Sequence, residues 1–158
     1  MKIRKKAVCL LAAIALFTSL LTSCNSKKAV SFRDFDSLAA ERNYIVQDGT
    51  DYFSAYDYIK MVKLCAPQDK AFQIEFYELN DAAVAKSFYE ANRNNFVMMK
   101  SGTADEYTDT GDDYDIYKLE NYGSFMMVER VGNTVVYVNS TSAANRAAIE
   151  SFLKAIRY

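Results

Sequence analysis

The chain has 158 residues, with 19 basic and 20 acidic side chains, a formal net charge of −1, and no histidine or tryptophan. Without histidine there is no imidazole to serve as general base, to activate a serine or cysteine, or to bind a metal, and without tryptophan there is no indole platform of the kind common in sugar binding. The charge balance also disfavours a nucleic-acid partner.

Lys2, Arg4, Lys5 and Lys6 form a positive start, followed by the apolar run Ala7 to Phe17 and then Thr18-Ser19-Leu20-Leu21. This is the layout of a secretory signal peptide. Residues 7–21 would span about 22 Å as a helix, short of the ~30 Å hydrocarbon core that a permanent membrane helix crosses. The run ends in Leu21-Thr22-Ser23-Cys24, which resembles the lipobox of bacterial lipoproteins. The resemblance implies cleavage between Ser23 and Cys24, a diacylglycerol thioether on the Cys24 sulfur, and acylation, such as with palmitate, of the new amino terminus. Two acyl chains suffice for stable anchoring where one does not. The expected organisation is a signal peptide over 1–23, a lipidated Cys24 with a short linker over 24–30, and a domain over 31–158 on the extracytoplasmic face of a membrane.

With the four basic residues of 1–6 removed, 15 basic residues face 20 acidic ones. Cys9 leaves with the signal and Cys24 is capped by lipid, so Cys65 is the one free thiol and no intrachain disulfide forms. Its setting, Val62-Lys63-Leu64-Cys65-Ala66, reads as a small buried hydrophobe rather than a nucleophile. In the linker, Lys27 and Lys28 are expected as solvated charges, each worth about 1 kcal/mol if an anionic leaflet lies close.

Ser31 and Asp34 suggest a capping box ahead of Phe32, Phe35, Leu38 and Ala39, which predicts a helix over 32–42. Tyr44-Ile45-Val46 predicts a short strand before the Asp48-Gly49 turn. Residues 51–58 are ambiguous, with three tyrosines expected to lie half-buried beside a sheet. Residues 60–66 and 71–79 flank Pro67-Gln68-Asp69-Lys70 and predict a hairpin whose Phe72, Ile74 and Phe76 face inward. Asn80-Asp81 caps a helix to about Asn95, with Val84, Phe88 and Ala91 as its apolar stripe.

Residues 97–113 show no useful periodicity and read as a long, charged connection that is either functional or mobile. Asp105, Glu106, Asp109, Asp112 and Asp113 make it acidic, but their spacing does not match a calcium-binding EF-hand loop, and no metal or cofactor is expected. Tyr107, Asp109, Asp112, Asp113 and Tyr114 are the candidate contacts for a basic partner. Strands follow over 114–120, 124–131 and 134–139. A two-residue Gly132-Asn133 turn would set Val131 opposite Thr134 and Met127 opposite Val138, leaving both faces of that hairpin apolar. Ser140-Thr141-Ser142 offers caps for a last helix bearing Ile149, Phe152, Leu153 and Ile156.

The predicted fold is a single α+β domain, a mostly antiparallel sheet of about five to six strands with about three helices packed on it. The run Ala71-Phe72-Gln73-Ile74-Glu75-Phe76-Tyr77, a helix, then Val128-Glu129-Arg130-Val131-Gly132-Asn133-Thr134-Val135-Val136-Tyr137-Val138 is similar to small uncharacterised lipoproteins of bacterial envelopes, a pattern that carries no activity with it. The expected function is a tethered binding or accessory module acting on an envelope protein. The competing readings are an envelope hydrolase using paired carboxylates, with Glu75, Glu78 and Asp115 as candidates, and a small solute-binding protein, for which one domain is small.

Overall fold

The computed structural model describes residues 27–158; Cys24 and the segment expected as a signal peptide, with its expected cleavage site at Ser23, lie outside them. Seven strands form one antiparallel sheet, β1 (Ile45–Asp48), β2 (Ile59–Ala66), β3 (Ile74–Leu79), β4 (Asp105–Thr110), β5 (Tyr114–Asn121), β6 (Ser124–Val131) and β7 (Thr134–Ser140). Three helices pack on it, α1 (Phe32–Glu41), α2 (Ala82–Met99) and α3 (Arg146–Ala155). The sheet order is β1-β2-β3-β7-β6-β5-β4. Two antiparallel meanders, β1 to β3 and β4 to β7, therefore meet along the β3–β7 seam. The chain passes between them through α2, which runs from the centre of the sheet to the far edge strand.

Both faces of the sheet are buried at its centre. On one, Phe35 of α1 and Phe152 of α3 meet Ile74, Phe76, Met127, Val136 and Val138. On the other, Ala85, Tyr89 and Phe96 of α2 meet Tyr77, Leu119, Val128 and Val135. The β6–β7 register sets Val131 opposite Thr134 and Met127 opposite Val138, as the Gly132-Asn133 turn requires. Gly132 has φ +59, the positive value that the first central residue of a type II′ turn needs. In the β5–β6 turn Tyr122 and Gly123 both have positive φ, the type I′ pattern.

Local signals place the first two helices. The Ser31 hydroxyl accepts from the Asp34 N–H and the Asp81 carboxylate accepts from the Val84 N–H, so each helix begins at an expected cap. The last does not: a 3₁₀ turn over Ala143–Asn145 precedes α3, the side chain of the N-cap residue Asn145 makes no capping hydrogen bond, and the Ser140 hydroxyl donates to the Ser142 carbonyl and accepts from the Asn145 amide.

Four expectations are corrected. Helix α2 continues to Met99, because Phe96 is core and extends the apolar pattern another turn. Its buried stripe is Ala85, Tyr89 and Phe96, while Val84, Phe88 and Ala91 with Tyr58 line an open hollow of ≈ 450 Å³. The hairpin strand β3 is buried on both faces, since Tyr77 and Leu79 are as enclosed as Ile74 and Phe76. Among residues 51–58, a 3₁₀ turn over Thr50–Phe53 leaves Tyr52 and Tyr56 exposed, and it is Phe53 that packs on Tyr77. Cys65 is buried, and burial, with a smaller effect of Asp36, pushes its thiol up to about 12, far from a nucleophile.

The Phe152 ring stands edge-on to Phe35 and stacks on Tyr44, tying α3 to α1 and to the residue that precedes β1. Phe152→Ala should lower stability by roughly 3–5 kcal/mol, and exposed Lys154→Ala by little. Denaturant titration checks this; equal small effects would show that α3 does not dock through its apolar stripe.

Candidate functional site

The stretch 97–113, expected as a long connection, is mostly ordered structure. After α2 ends, residues 105–110 form β4, paired with β5 alone from Asp105↔Glu120 to Thr110↔Asp115. Its other edge has no partner strand among the described residues. Tyr107 and the two threonines favour an extended chain, but the carboxylates between them replace the apolar alternation by which a strand is recognised. An acidic edge strand resists pairing with copies of itself.

Neighbouring cations take up part of the acidic surplus. Glu106 pairs with Lys100 at the end of α2, a contact that holds its carboxyl below the usual range. Asp105 lies 3.7 Å from the Arg146 guanidinium of α3. Asp115 leaves the edge altogether. It points into the α2 face, where its carboxylate accepts from Arg130 Nε at 2.6 Å, both side chains no more than 7% exposed. Asp109, Asp112 and Asp113 form no salt bridge among the described residues. Asp109 accepts from the Tyr114 hydroxyl at 3.3 Å, and Asp113 Oδ1 is shielded from water without a hydrogen-bond partner. Within residues 105–115, the negative charge without a salt-bridge partner is thus gathered at the β4–β5 turn.

Gly111 opens that turn, and its N–H donates to the Tyr114 carbonyl. A Cβ at Gly111 would fall 2.2 Å from the Tyr114 ring, so only glycine lets the ring lie flat against the turn. Held there, the ring forms one wall of a small polar site on the α1/α3 face. Its floor is Glu129 of β6, 2% exposed. Lys27 reaches over the sheet to fill it, its ammonium paired with Glu129 and 5.3 Å from the Tyr114 ring centroid. Ala29 and Val30 pack on the same core, Ala29 beside Gly132. The expected linker is therefore, from Lys27 onward, part of the packed domain. Lys27 is engaged with a carboxylate and not free for a membrane surface.

Burial raises the Glu129 carboxyl, and Lys27 and then Lys118 oppose that rise. Lys118 is itself held by Glu150 of α3 at 2.8 Å and stands 5.6 Å from the centroid of Tyr107.

Of the expected contact residues, register places Tyr107, Asp109 and Tyr114 on one face of the sheet, the side of Glu129, while Asp112 and Asp113 occupy the turn beside them. Sequence reasoning missed Glu129 and Lys27. A signal for Glu129 was present: it continues the inward series Phe125, Met127, where a carboxylate calls for a counter-charge. Nothing near Lys27 in sequence identifies its partner, 102 positions away. The carboxylates considered for hydrolysis are not brought together. Glu75, bonded to the Tyr77 hydroxyl and to Gln73, and Glu78 point to opposite faces of β3, and Asp115 is bound to Arg130. No group of three or more Cys, Asp or Glu side chains suited to a metal occurs among the described residues. Comparison with protein-family models, with curated proteins and with solved structures gave no significant match.

Two outcomes follow from the charges. Arg130→Met leaves Asp115 buried and unpaired and should cost roughly 3–5 kcal/mol in denaturant titration, most of it recovered when Asp115→Leu is added. Glu129, with its folded value raised, contributes stability that is complete below the ordinary glutamate range near about pH 4 and lost as pH rises through the folded value. The gap in denaturant midpoint between the natural protein and Glu129→Gln should therefore shift with pH in that window, whereas a constant gap would show that Glu129 does not titrate as its burial implies.

Proposed function

We propose that the protein is a membrane-anchored extracytoplasmic lipoprotein whose domain is a binding module for a basic segment of an envelope partner. The observation that carries the reading is the β4–β5 tip, where Asp109, Asp112 and Asp113 lack cationic partners among the described residues beside an unpaired strand edge. An open edge supplies backbone hydrogen bonds to an added extended segment, and the carboxylates select basic side chains and speed encounter. Tyr107, 48% exposed, offers aromatic contact area at the same place, whereas the Tyr114 ring is buried beneath Lys27.

The anchor rests on the basic start, the apolar run and Leu21-Thr22-Ser23-Cys24. Among the described residues no helix is long and apolar enough to cross a membrane. Under this reading the thiol of Cys24 is the atom alkylated, so Cys24→Ser should leave a precursor that is neither lipidated nor cut before residue 24. Mass spectrometry of the membrane fraction decides, and a natural mature form without lipid or beginning elsewhere would remove the anchoring claim.

For the tip, the test is binding of a fluorescent acetyl-Lys-Val-Lys-Val-Lys-amide peptide to the full-length chain in detergent micelles. Neutralising Asp109, Asp112 and Asp113 to Asn should weaken binding by about tenfold and flatten its salt dependence, as expected when charge attraction supplies the affinity. Unchanged affinity and salt dependence would show that the tip is not the contact.

A further inference from the structure

We infer that Glu129 and Tyr114 form a seat for a primary ammonium group, filled in cis by Lys27, so that a basic segment arriving at the acidic tip competes with the strap Lys27–Val30. The inference rests on the proposed reading of the tip and extends it to a second, deeper contact and to its control.

The seat has the parts that ammonium recognition needs. Glu129 provides a carboxylate 2% exposed at the bottom, and the Tyr114 ring provides a π-face 5.3 Å from the bound nitrogen. Asp109 fixes that ring through its hydroxyl at 3.3 Å, and Gly111 lets it lie against the turn. Burial makes the ionised carboxylate costly without a counter-charge, which favours a cation in the seat. The charged groups around Glu129 are Lys27 from the strap, Lys118 from β5 and Asp109 from β4, and the neutral Tyr158 hydroxyl faces it from the chain end after α3. Lys118 is committed to Glu150, so Lys27 is the cation that holds Glu129.

The strap is held by little else. Lys27 is a quarter exposed, and Ala29 and Val30 are only partly buried against the core. Residues 27–30 precede α1, which keeps its own Ser31 cap whether or not they are bound. The strap can therefore lift without unfolding a helix or a strand. Gly132, next to Ala29, and the unpaired Asp113 oxygen belong to adjoining turns, since the Gly132 N–H donates to the Asp113 carbonyl. The seat is thus continuous with the tip, and an extended basic chain on the tip has a second lysine site within reach.

A cis occupant reduces apparent affinity by the fraction of molecules in which it is displaced, so a strap lifted in about a tenth of the molecules imposes a tenfold penalty. The probe is the same acetyl-Lys-Val-Lys-Val-Lys-amide peptide and the protein is the full-length chain in detergent. Lys27→Ala should bind it at least about tenfold more tightly than the natural chain, and Lys27→Arg, which keeps a cation in the seat, should not. Adding Glu129→Gln or, separately, Tyr114→Leu to Lys27→Ala should abolish the gain; circular dichroism identifies any variant that has failed to fold, and the other then decides. Equal binding by the natural chain and Lys27→Ala, or a gain that survives both second changes, would overturn the seat. Failure of the tip reading is seen separately: neutralising Asp112 and Asp113 alone, whose side chains do not hold the Tyr114 ring, would then leave the peptide affinity of Lys27→Ala unchanged.

Discussion

The structure depends on a sheet that has no face to spare for solvent at its centre. Strands β6 and β7 are apolar on both sides, with Phe125, Met127, Val136 and Val138 on one and Met126, Val128 and Val135 on the other, so cover is needed twice. Helix α2 provides one layer while carrying the chain from β3 to the far edge. Helices α1 and α3 provide the other, locked together through Phe35 and Phe152. Exposed polar strands are left only where this cover runs out, at the edges.

The same two-sided burial explains the charges. Glu129 and Arg130 are consecutive in β6 and point to opposite faces, both into buried surroundings, so each requires its own counter-charge. Arg130 finds Asp115 directly across on β5. For Glu129 the cross-strand neighbours are Ile116 and Val136, which cannot help, and the cation is supplied from outside the sheet by Lys27. The strap is a consequence of that demand. It also closes the α1/α3 face at the end of the sheet where β5 and β6 pair Tyr114 with Val131, next to the acidic tip.

Much of the fold was legible in the sequence where one signal acted alone. Ser31 and Asp81 marked helix starts, Gly132-Asn133 fixed the β6–β7 register, and Ile149, Phe152, Leu153 and Ile156 gave the buried stripe of α3. Strand β4 was not legible, because its carboxylates are those of a solvated loop, and an edge strand exposed on both faces needs no apolar alternation. The α2 stripe was displaced by one position because Val84 and Phe88 are as apolar as Ala85 and Tyr89, and only the sheet beneath decides which row is buried. Tyr107, Asp109 and Tyr114 were singled out by composition and do converge, but the buried half of the site, Glu129 with Lys27, arises from a contact across nearly the whole chain.

The proposed binding places a basic segment of an envelope protein at the β4–β5 tip. Zero-length carboxylate-to-amine cross-linking in intact envelopes, followed by peptide mapping, tests it most directly, since such links form only between groups already in contact. Binding at the tip should give links from Asp109, Asp112 or Asp113 to lysines of another protein. Intermolecular links confined to carboxylates elsewhere, such as Asp51 or Glu90, with the tip unmodified by any partner, would contradict it.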